Sequence, residues 1–126
     1  MSPRSAEYIE KAREHLAAAR LVVESGPGGV SVHDSYYAML YAARAALSEL
    51  DLFAKTHSGT WSLFAARFVA TGRFDQELHA RAREGEVLRI NSDYEANRVP
   101  TEQAEALLAD AERFVDAVAA MFPDGG

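Results

Sequence analysis

Three side chains able to do chemistry stand close together in "LRINSDY", residues 88–94. Arg89 carries a planar guanidinium that can hold a phosphate or a carboxylate through paired hydrogen bonds. Asp93 follows four residues later, on the same face if the segment is helical, and Tyr94 comes next. Two interpretations stay open: a surface ion pair at a helix end, or a site in which Arg89, Asp93 and Tyr94 act on a charged ligand.

The four histidines do not form a metal-binding pattern, because no two of them lie four residues apart and no HExxH occurs. The chain also has no cysteine, so the sequence predicts neither a metal site nor a cofactor. Two histidines follow a cation in the sequence. His79 follows Arg73 with five residues between them, and His57 follows Lys55 in the loop "KTHSG".

The charge of the chain is unevenly distributed. The net charge is −6, and residues 99–126 carry six acidic side chains against one arginine, whereas residues 67–98 carry six arginines and six acids. A strong binder of duplex DNA is usually basic, so the balance disfavours that function but allows local contact with RNA or a nucleotide. No apolar run is long enough for a membrane span or a signal peptide, so we expect a cytoplasmic protein.

The elements that must position these groups are helices. Breakers divide the chain into five helical segments: about 4–25, 31–52, one from Ser58 or Thr60 to Gly72, 74–95, and one capped by Thr101. Ser31 is the expected N-cap of the second segment, and Gly85 marks a bend or close packing in the fourth. The sequence predicts an all-α, four- to five-helix antiparallel up-and-down bundle, one domain over residues 1–126 with its core at about 5–121 and a frayed tail from 122.

Tyrosines cluster on the second segment. Tyr36, Tyr37 and Tyr41 lie on or beside its apolar stripe, together with Arg44. Two interpretations remain: core packing with the hydroxyls at the edge of the core, or a tyrosine-rich surface that pairs with a second subunit.

The order of the motifs resembles a known family. "DSYYAMLYAARAAL", "KTHSG", "FVATGRF", "RINSDY" and "TEQAEALLADAERFV" follow one another as in the HEPN superfamily, in its compact single-domain prokaryotic subfamily, over roughly residues 5–120. The resemblance implies a helical bundle that forms a homodimer. In many members it also implies metal-independent RNA cleavage by an arginine and a histidine that follows after four to six residues.

Residue by residue, the resemblance makes Arg89 the motif arginine, with Asn91 and Lys55 as further contacts to RNA or a nucleotide. Tyr94 resembles the tyrosine that a partner nucleotidyltransferase can adenylylate. No histidine follows Arg89 at the motif spacing; Asp93 stands near that place, and an aspartate, with an ordinary pKa near 4, is a poor acid at neutral pH. Arg73 and His79 do have the motif spacing, and they and His57 are further candidates for the role of the motif pair. We therefore expect the HEPN partner of a nucleotidyltransferase in a toxin–antitoxin or defence pair, with an RNA- or nucleotide-facing dimer groove. RNA cleavage stays open, and the alternative is a noncatalytic interaction and dimerisation module in which Arg89 and Asp93 form a structural pair.

Overall fold

The computed structural model describes residues 1–24, 28–92 and 99–123, and the regular structure within these ranges is helical. The helices are α1 (Pro3–Val22), α2 (Gly28–Ser48), α3 (His57–Phe64), α4 (Gln76–Ser92) and α5 (Thr101–Met121), and a π-helical turn (Ala65–Val69) continues α3. The predicted all-α antiparallel bundle is confirmed. None of the helices in the described part of the chain has the length and apolar character needed to cross a membrane.

Helix α2 lies at the centre of the bundle, in contact with α1, α3, α4 and α5. Its sequence explains this position, because alanines on several of its faces let neighbouring helices approach closely. Thirteen of its residues are buried: Ser31, Val32, Ser35, Tyr36, Ala38, Met39, Leu40, Ala42, Ala43, Ala45, Ala46, Leu47 and Ser48. The central helix therefore fixes the positions of all the others, and side chains from its two ends can meet groups from several elements.

The first turn of α1 is attached to the end of α2. Ser2 caps α1 by accepting a hydrogen bond from the Ser5 backbone N–H at 3.1 Å. The Glu49 carboxylate accepts one bond from the Ser2 backbone N–H at 2.9 Å and another from the Ser5 hydroxyl at 2.8 Å. The bond from the Ser2 backbone has the largest effect on the pKa of Glu49. Together the bonds stabilise the charged form of the carboxyl group and lower its pKa.

The start of α2 differs from the prediction. The helix begins at Gly28, so Ser31 is not an N-cap; it is buried within the helix and donates to the Ala19 carbonyl at 3.4 Å. A Cβ at Gly28 would collide with the carbonyl of Val99, so this glycine permits a close approach of two segments and does not interrupt the helix. At the other end, Asp51 adopts a left-handed conformation (φ 55°) that terminates the helix.

Helix α3 also begins earlier than expected. Thr56, and not Ser58 or Thr60, is its N-cap, accepting a hydrogen bond from the Gly59 N–H at 2.9 Å. Thr60 is instead buried, and its hydroxyl donates to the Thr56 carbonyl at 2.8 Å. This shift has a functional consequence, because it makes His57 the first residue of the helix and fixes its backbone.

The remaining boundaries are close to the predicted ones. Asp75 accepts a bond from the Leu78 N–H at 2.9 Å at the start of α4, and a Cβ at Gly85 would lie 2.9 Å from Leu107 Cδ1, which confirms close packing there. Thr101 is the first residue of α5 and not its cap, because the preceding proline occupies the N-cap position. Phe122, placed in the predicted tail, packs against Phe68 with ring centroids 6.0 Å apart. Residues 25–27, 93–98 and 124–126, on which parts of the predicted loop, fourth helix and tail fall, lie outside the described residues.

Candidate functional site

The hydroxyl of Tyr36 is the centre of a hydrogen-bond network between α2, α3 and α4. It donates to Glu86 Oε2 at 3.1 Å, accepts from Trp61 Nε1 at 3.1 Å, and lies 3.3 Å from His57 Nδ1. The Tyr36 side chain is fully buried, whereas His57 is partly exposed. The network therefore connects a histidine at the surface to groups inside the bundle.

The donors in this network fix the tautomer of His57. Glu86 can only accept as a carboxylate, so the single hydroxyl proton of Tyr36 points to it. The contact between His57 and Tyr36 then requires that Nδ1 carries a proton and donates to the phenolic oxygen. The other ring nitrogen, Nε2, keeps its lone pair and is the group that can accept a proton from a ligand.

Arg89 reaches the same place from α4. Its guanidinium carbon lies 5.0 Å from the ring centroid of Tyr36 and 5.8 Å from that of Tyr37, within cation–π distance of both. The His57 ring contacts the same two tyrosines, with centroids 5.8 Å and 5.6 Å away. Arg89 and His57 are therefore neighbours around one pair of rings, although 32 positions separate them in the sequence.

The electrostatics of this cluster keep His57 neutral at pH 7. Burial lowers its pKa below the usual 6.5, and the positive charges of Arg44 and Arg89 lower it further, against the opposing effect of Glu86. Burial also raises the pKa of Tyr36 to about 12, so its hydroxyl stays protonated and continues to donate to Glu86. A neutral imidazole beside a fixed cation is suited to accept a proton from a ligand that the cation holds.

The remaining residues predicted in this motif have different outcomes. Asp93 and Tyr94 lie outside the described residues, so the predicted Arg89–Asp93 pair and the modification of Tyr94 stay predictions. Lys55 and Asn91 are exposed, and neither makes a hydrogen bond or ion pair with Arg89 or His57 among the described parts of the chain. Of the predicted binding groups, Arg89 is the one that joins the cluster.

Arg73 and His79, the other candidate pair, contact different aromatic rings. The Arg73 guanidinium carbon lies 5.0 Å from the ring centroid of Phe68 and 5.5 Å from that of Phe122. The His79 ring packs against Trp61 at 6.1 Å and Phe64 at 6.0 Å. Burial, and secondarily the charge of Arg83, lowers the pKa of His79, and its buried Nε2 has no hydrogen-bond partner among the described residues. The two side chains share no contact there, so the spacing does not make a site.

Tyr36 belongs to the core, whereas Tyr37 and Tyr41 are partly exposed. The His15 ring of α1 is tilted against Tyr37 and stacked on Tyr41. The pairing of this surface with a second subunit stays a prediction. The sequence patterns did not reveal Glu86 or the part that Tyr36 plays in orienting His57, since neither stands in a motif with a histidine.

The chain is similar to known proteins over nearly its whole length. It matches the HEPN domain family over residues 5–121. It is 42% identical to a UPF0332 protein of Gloeobacter violaceus over 117 residues, which cover 91% of this chain and 93% of that protein. Two proteins of Methanocaldococcus jannaschii named "Putative toxin" are each 33% identical over 111 residues, which cover 87% of this chain and 82% and 76% of theirs.

A solved structure agrees with this fold. The crystal structure of a protein from Thermus thermophilus aligns with a TM-score of 0.81 at 17% identity, over 95% of this chain and 99% of that one. The bundle is thus a small all-α domain of a recurring type. The match over residues 5–121, with the relatives just described, shows that the chain belongs to the HEPN domain family. Among the residues that the structure describes, no group of three His, Asp or Glu could hold a metal ion.

Proposed function

We propose that this HEPN domain binds RNA and cleaves it without a metal ion, with Arg89 holding the scissile phosphate and His57 as the proton acceptor. The single observation that carries the proposal is the convergence of Arg89 and His57 on the rings of Tyr36 and Tyr37. In the family motif the histidine follows the arginine in sequence. Here His57 would take that role from the start of α3.

The chemistry follows from the tautomer of His57. Its Nε2 accepts the proton of an RNA 2′-hydroxyl, and the 2′-oxygen attacks the adjacent phosphorus. The 5′-oxygen leaves with a proton from water, and the proton on His57 returns to solvent. The products are a 2′,3′-cyclic phosphate and a free 5′-hydroxyl. Arg89 stabilises the negative charge that grows on the phosphate oxygens in the transition state.

Two features of His57 support the proposal: its position beside Arg89 and the hydrogen-bond network that holds its ring. Tyr36 holds the imidazole through Nδ1, and Trp61 and Glu86 hold Tyr36 in turn. A base held in this way is oriented before the ligand arrives, which lowers the entropy cost of reaching the reactive geometry. Two relatives are named as putative toxins, and an enzyme that cleaves cellular RNA would be toxic.

The test is an RNA-cleavage assay in the presence of EDTA with purified wild type, Arg89→Gln and His57→Gln. The wild type should release fragments ending in a 2′,3′-cyclic phosphate. Each substitution should reduce the rate about 100-fold or more, because it removes a transition-state cation or the base. Arg81→Gln is the matched control: Arg81 is exposed on the same helix and pairs with Glu77 and Glu84, so its rate should equal that of the wild type.

Equal cleavage by the wild type and Arg89→Gln would indicate a contaminating nuclease and overturn the proposed role of Arg89. Loss of activity in EDTA would overturn the metal-independent mechanism. Intact RNA together with a stoichiometric co-purifying protein would favour the alternative, a noncatalytic interaction module.

The proposed function includes two partners. The first is a second copy of this chain, for which the exposed apolar side chains Val87 (58% exposed) and Ile90 (41%) on the helix of Arg89 give a contact surface. The second is a nucleotidyltransferase, in a toxin–antitoxin pair, that adenylylates Tyr94. Light scattering of the purified protein tests the dimer. Mass spectrometry of Tyr94 after co-expression with a neighbouring nucleotidyltransferase tests the pair, and an unmodified Tyr94 would contradict it.

A further inference from the structure

We infer that one face of α1 and α2 binds single-stranded RNA beside the Arg89–His57 site. This ring face consists of four rings and two cations: Tyr8, His15, Tyr37, Tyr41, Lys11 and Arg44. The inference rests on the proposed function for the identity of the ligand and adds its class, RNA with unpaired bases. Single strands are bound by grooves that combine stacking rings with cations for the phosphates.

The ring face results from the spacing of residues on two adjacent helices. Tyr8, Lys11 and His15 form one stripe on α1, and Tyr37, Tyr41 and Arg44 form another on α2, each with three- or four-residue steps. Because α1 packs along α2, the two stripes lie side by side. The face is therefore continuous across both helices.

Tyr41 lies at the middle of the face. The His15 ring is stacked with it at 5.5 Å and an interplanar angle of 11°, and the Tyr8 ring is stacked at 6.2 Å and 27°. Tyr37 follows at 6.5 Å. All four rings are partly exposed, so the row of rings reaches the surface. Base stacking on such rings tolerates any sequence, since every base has a π face.

The cations of the face have no ion-pair partner among the described residues. The Lys11 ammonium lies 5.4 Å from the Tyr41 ring centroid, and the Arg44 guanidinium carbon lies 5.9 Å from it. Arg44 Nε is shielded from water and has no hydrogen-bond acceptor within the described ranges. Asp34, a carboxylate of α2 at this face, is bonded to His15 Nδ1 at 2.8 Å. No carboxylate among the described residues therefore pairs with Lys11 or Arg44.

The opposite side of α1 has the reverse character, which argues for an anionic ligand on the ring face alone. There Arg13 pairs with Asp116 of α5 at 3.2 Å, and Arg20 pairs with Glu112 at 3.1 Å. These acids neutralise the arginines, so this side offers a polyanion no net positive charge from them. Tyr37, which contacts both His57 and Arg89, joins the ring face to the phosphate site, so one strand can occupy both.

The test measures binding of a fluorescent 12-nucleotide 2′-O-methyl RNA, which has no nucleophilic hydroxyl, by fluorescence anisotropy. Tyr41→Leu should raise the Kd about tenfold, and Tyr41→Phe, which keeps the ring, should leave it unchanged. Lys11→Gln should reduce the slope of log K against log salt by about 0.7, while Arg13→Gln, on the other side of the same helix, should not. The same sequence as a duplex should bind more weakly, since its bases are stacked inside.

Equal affinities of Tyr41→Leu and Tyr41→Phe, or a duplex bound as tightly as the single strand, would overturn the inference. So would a change in oligomeric state of Tyr41→Leu with unchanged RNA affinity, because the face would then join two copies of the chain. If Tyr41→Leu does not fold, the salt dependence of RNA binding by Lys11→Gln, compared with that of Arg13→Gln, decides whether the inference holds. Binding that needs Tyr41 without cleavage of ordinary RNA would refute the proposed chemistry and keep this inference. Cleavage that needs Arg89 but not Tyr41 would do the reverse.

Discussion

Two histidines of this protein are similarly buried but have different neighbours. His57 and His79 are both partly buried, and burial is the main cause that lowers the pKa of each. His57 is bonded through Nδ1 to Tyr36, whose hydroxyl also bonds Trp61 and Glu86. The guanidinium of Arg89, from α4, lies over the Tyr36 ring. His79 lies among Trp61 and Phe64 with its buried Nε2 unpartnered among the described residues. The difference shows that a lowered histidine pKa alone does not distinguish a candidate site; the groups that orient the imidazole and place a charge beside it do.

Among variants that change the contrast between His57 and His79, Tyr36→Phe is expected to have the largest effect. The substitution keeps the ring but removes the bond that orients His57, so RNA cleavage should fall by up to about 100-fold. It also removes the hydroxyl that Trp61 Nε1 and Glu86 Oε2 bond, which should cost about 1–3 kcal/mol in the free energy of unfolding. Cleavage assays and urea denaturation measure both. Tyr37→Phe, whose lost hydroxyl makes no hydrogen bond in the described part of the chain, is the control. A Tyr36→Phe protein as active and stable as the wild type would show that the network does not position His57.

A smaller effect is expected from pH. Because the pKa of His57 lies below 6.5, the base is unprotonated at pH 7, and the cleavage rate should be on a plateau there. Below that pKa the rate should fall about tenfold per pH unit as the imidazole takes up a proton. Values of kcat/KM measured from pH 4.5 to 8 with subsaturating RNA test this expectation, because they report the pKa of the free protein. A profile with its midpoint above 6.5 would exclude His57 as the base.

The smallest effect is expected at the second histidine. His79→Leu replaces a buried nitrogen that lacks a partner among the described residues with an apolar side chain, which should raise the free energy of unfolding by about 1 kcal/mol at pH 7. The folded-state pKa of His79 is depressed, so the wild type loses stability as the pH falls from 6.5 towards that pKa, and the leucine variant should lose less. Urea denaturation at pH 7 and 5.5 measures both differences. RNA cleavage by His79→Leu should equal that of the wild type; reduced cleavage would bring this region into the site.

The fold followed from the sequence more completely than the site did. Apolar residues at helical spacing, together with glycine and proline breakers, predicted a bundle of five helical segments. The errors were at the boundaries. Ser31 and Thr101 have the residue types of helix caps, but tertiary contacts and a neighbouring proline decided where α2 and α5 begin.

The site shows the reverse balance. Arg89 was predicted from its motif, and His57 was a further candidate from its loop, but no spacing rule could connect them across 32 positions. The rule did connect Arg73 with His79, and the structure places these two side chains on different rings. A short motif constrains neighbours on one helix, whereas a proton acceptor and its cation can come from any two elements that pack together.

By itself, the sequence determined the helical bundle, the family, and the presence of an arginine able to hold phosphate, because periodicity and motif order are local properties of the chain. The tertiary structure alone decided which histidine stands beside that arginine. Central helix α2 contacts both α3 and α4. Its Tyr36 can therefore accept a hydrogen bond from His57 of α3 and lie beneath the guanidinium of Arg89 of α4. That convergence depends on how three helices pack, which no single segment encodes.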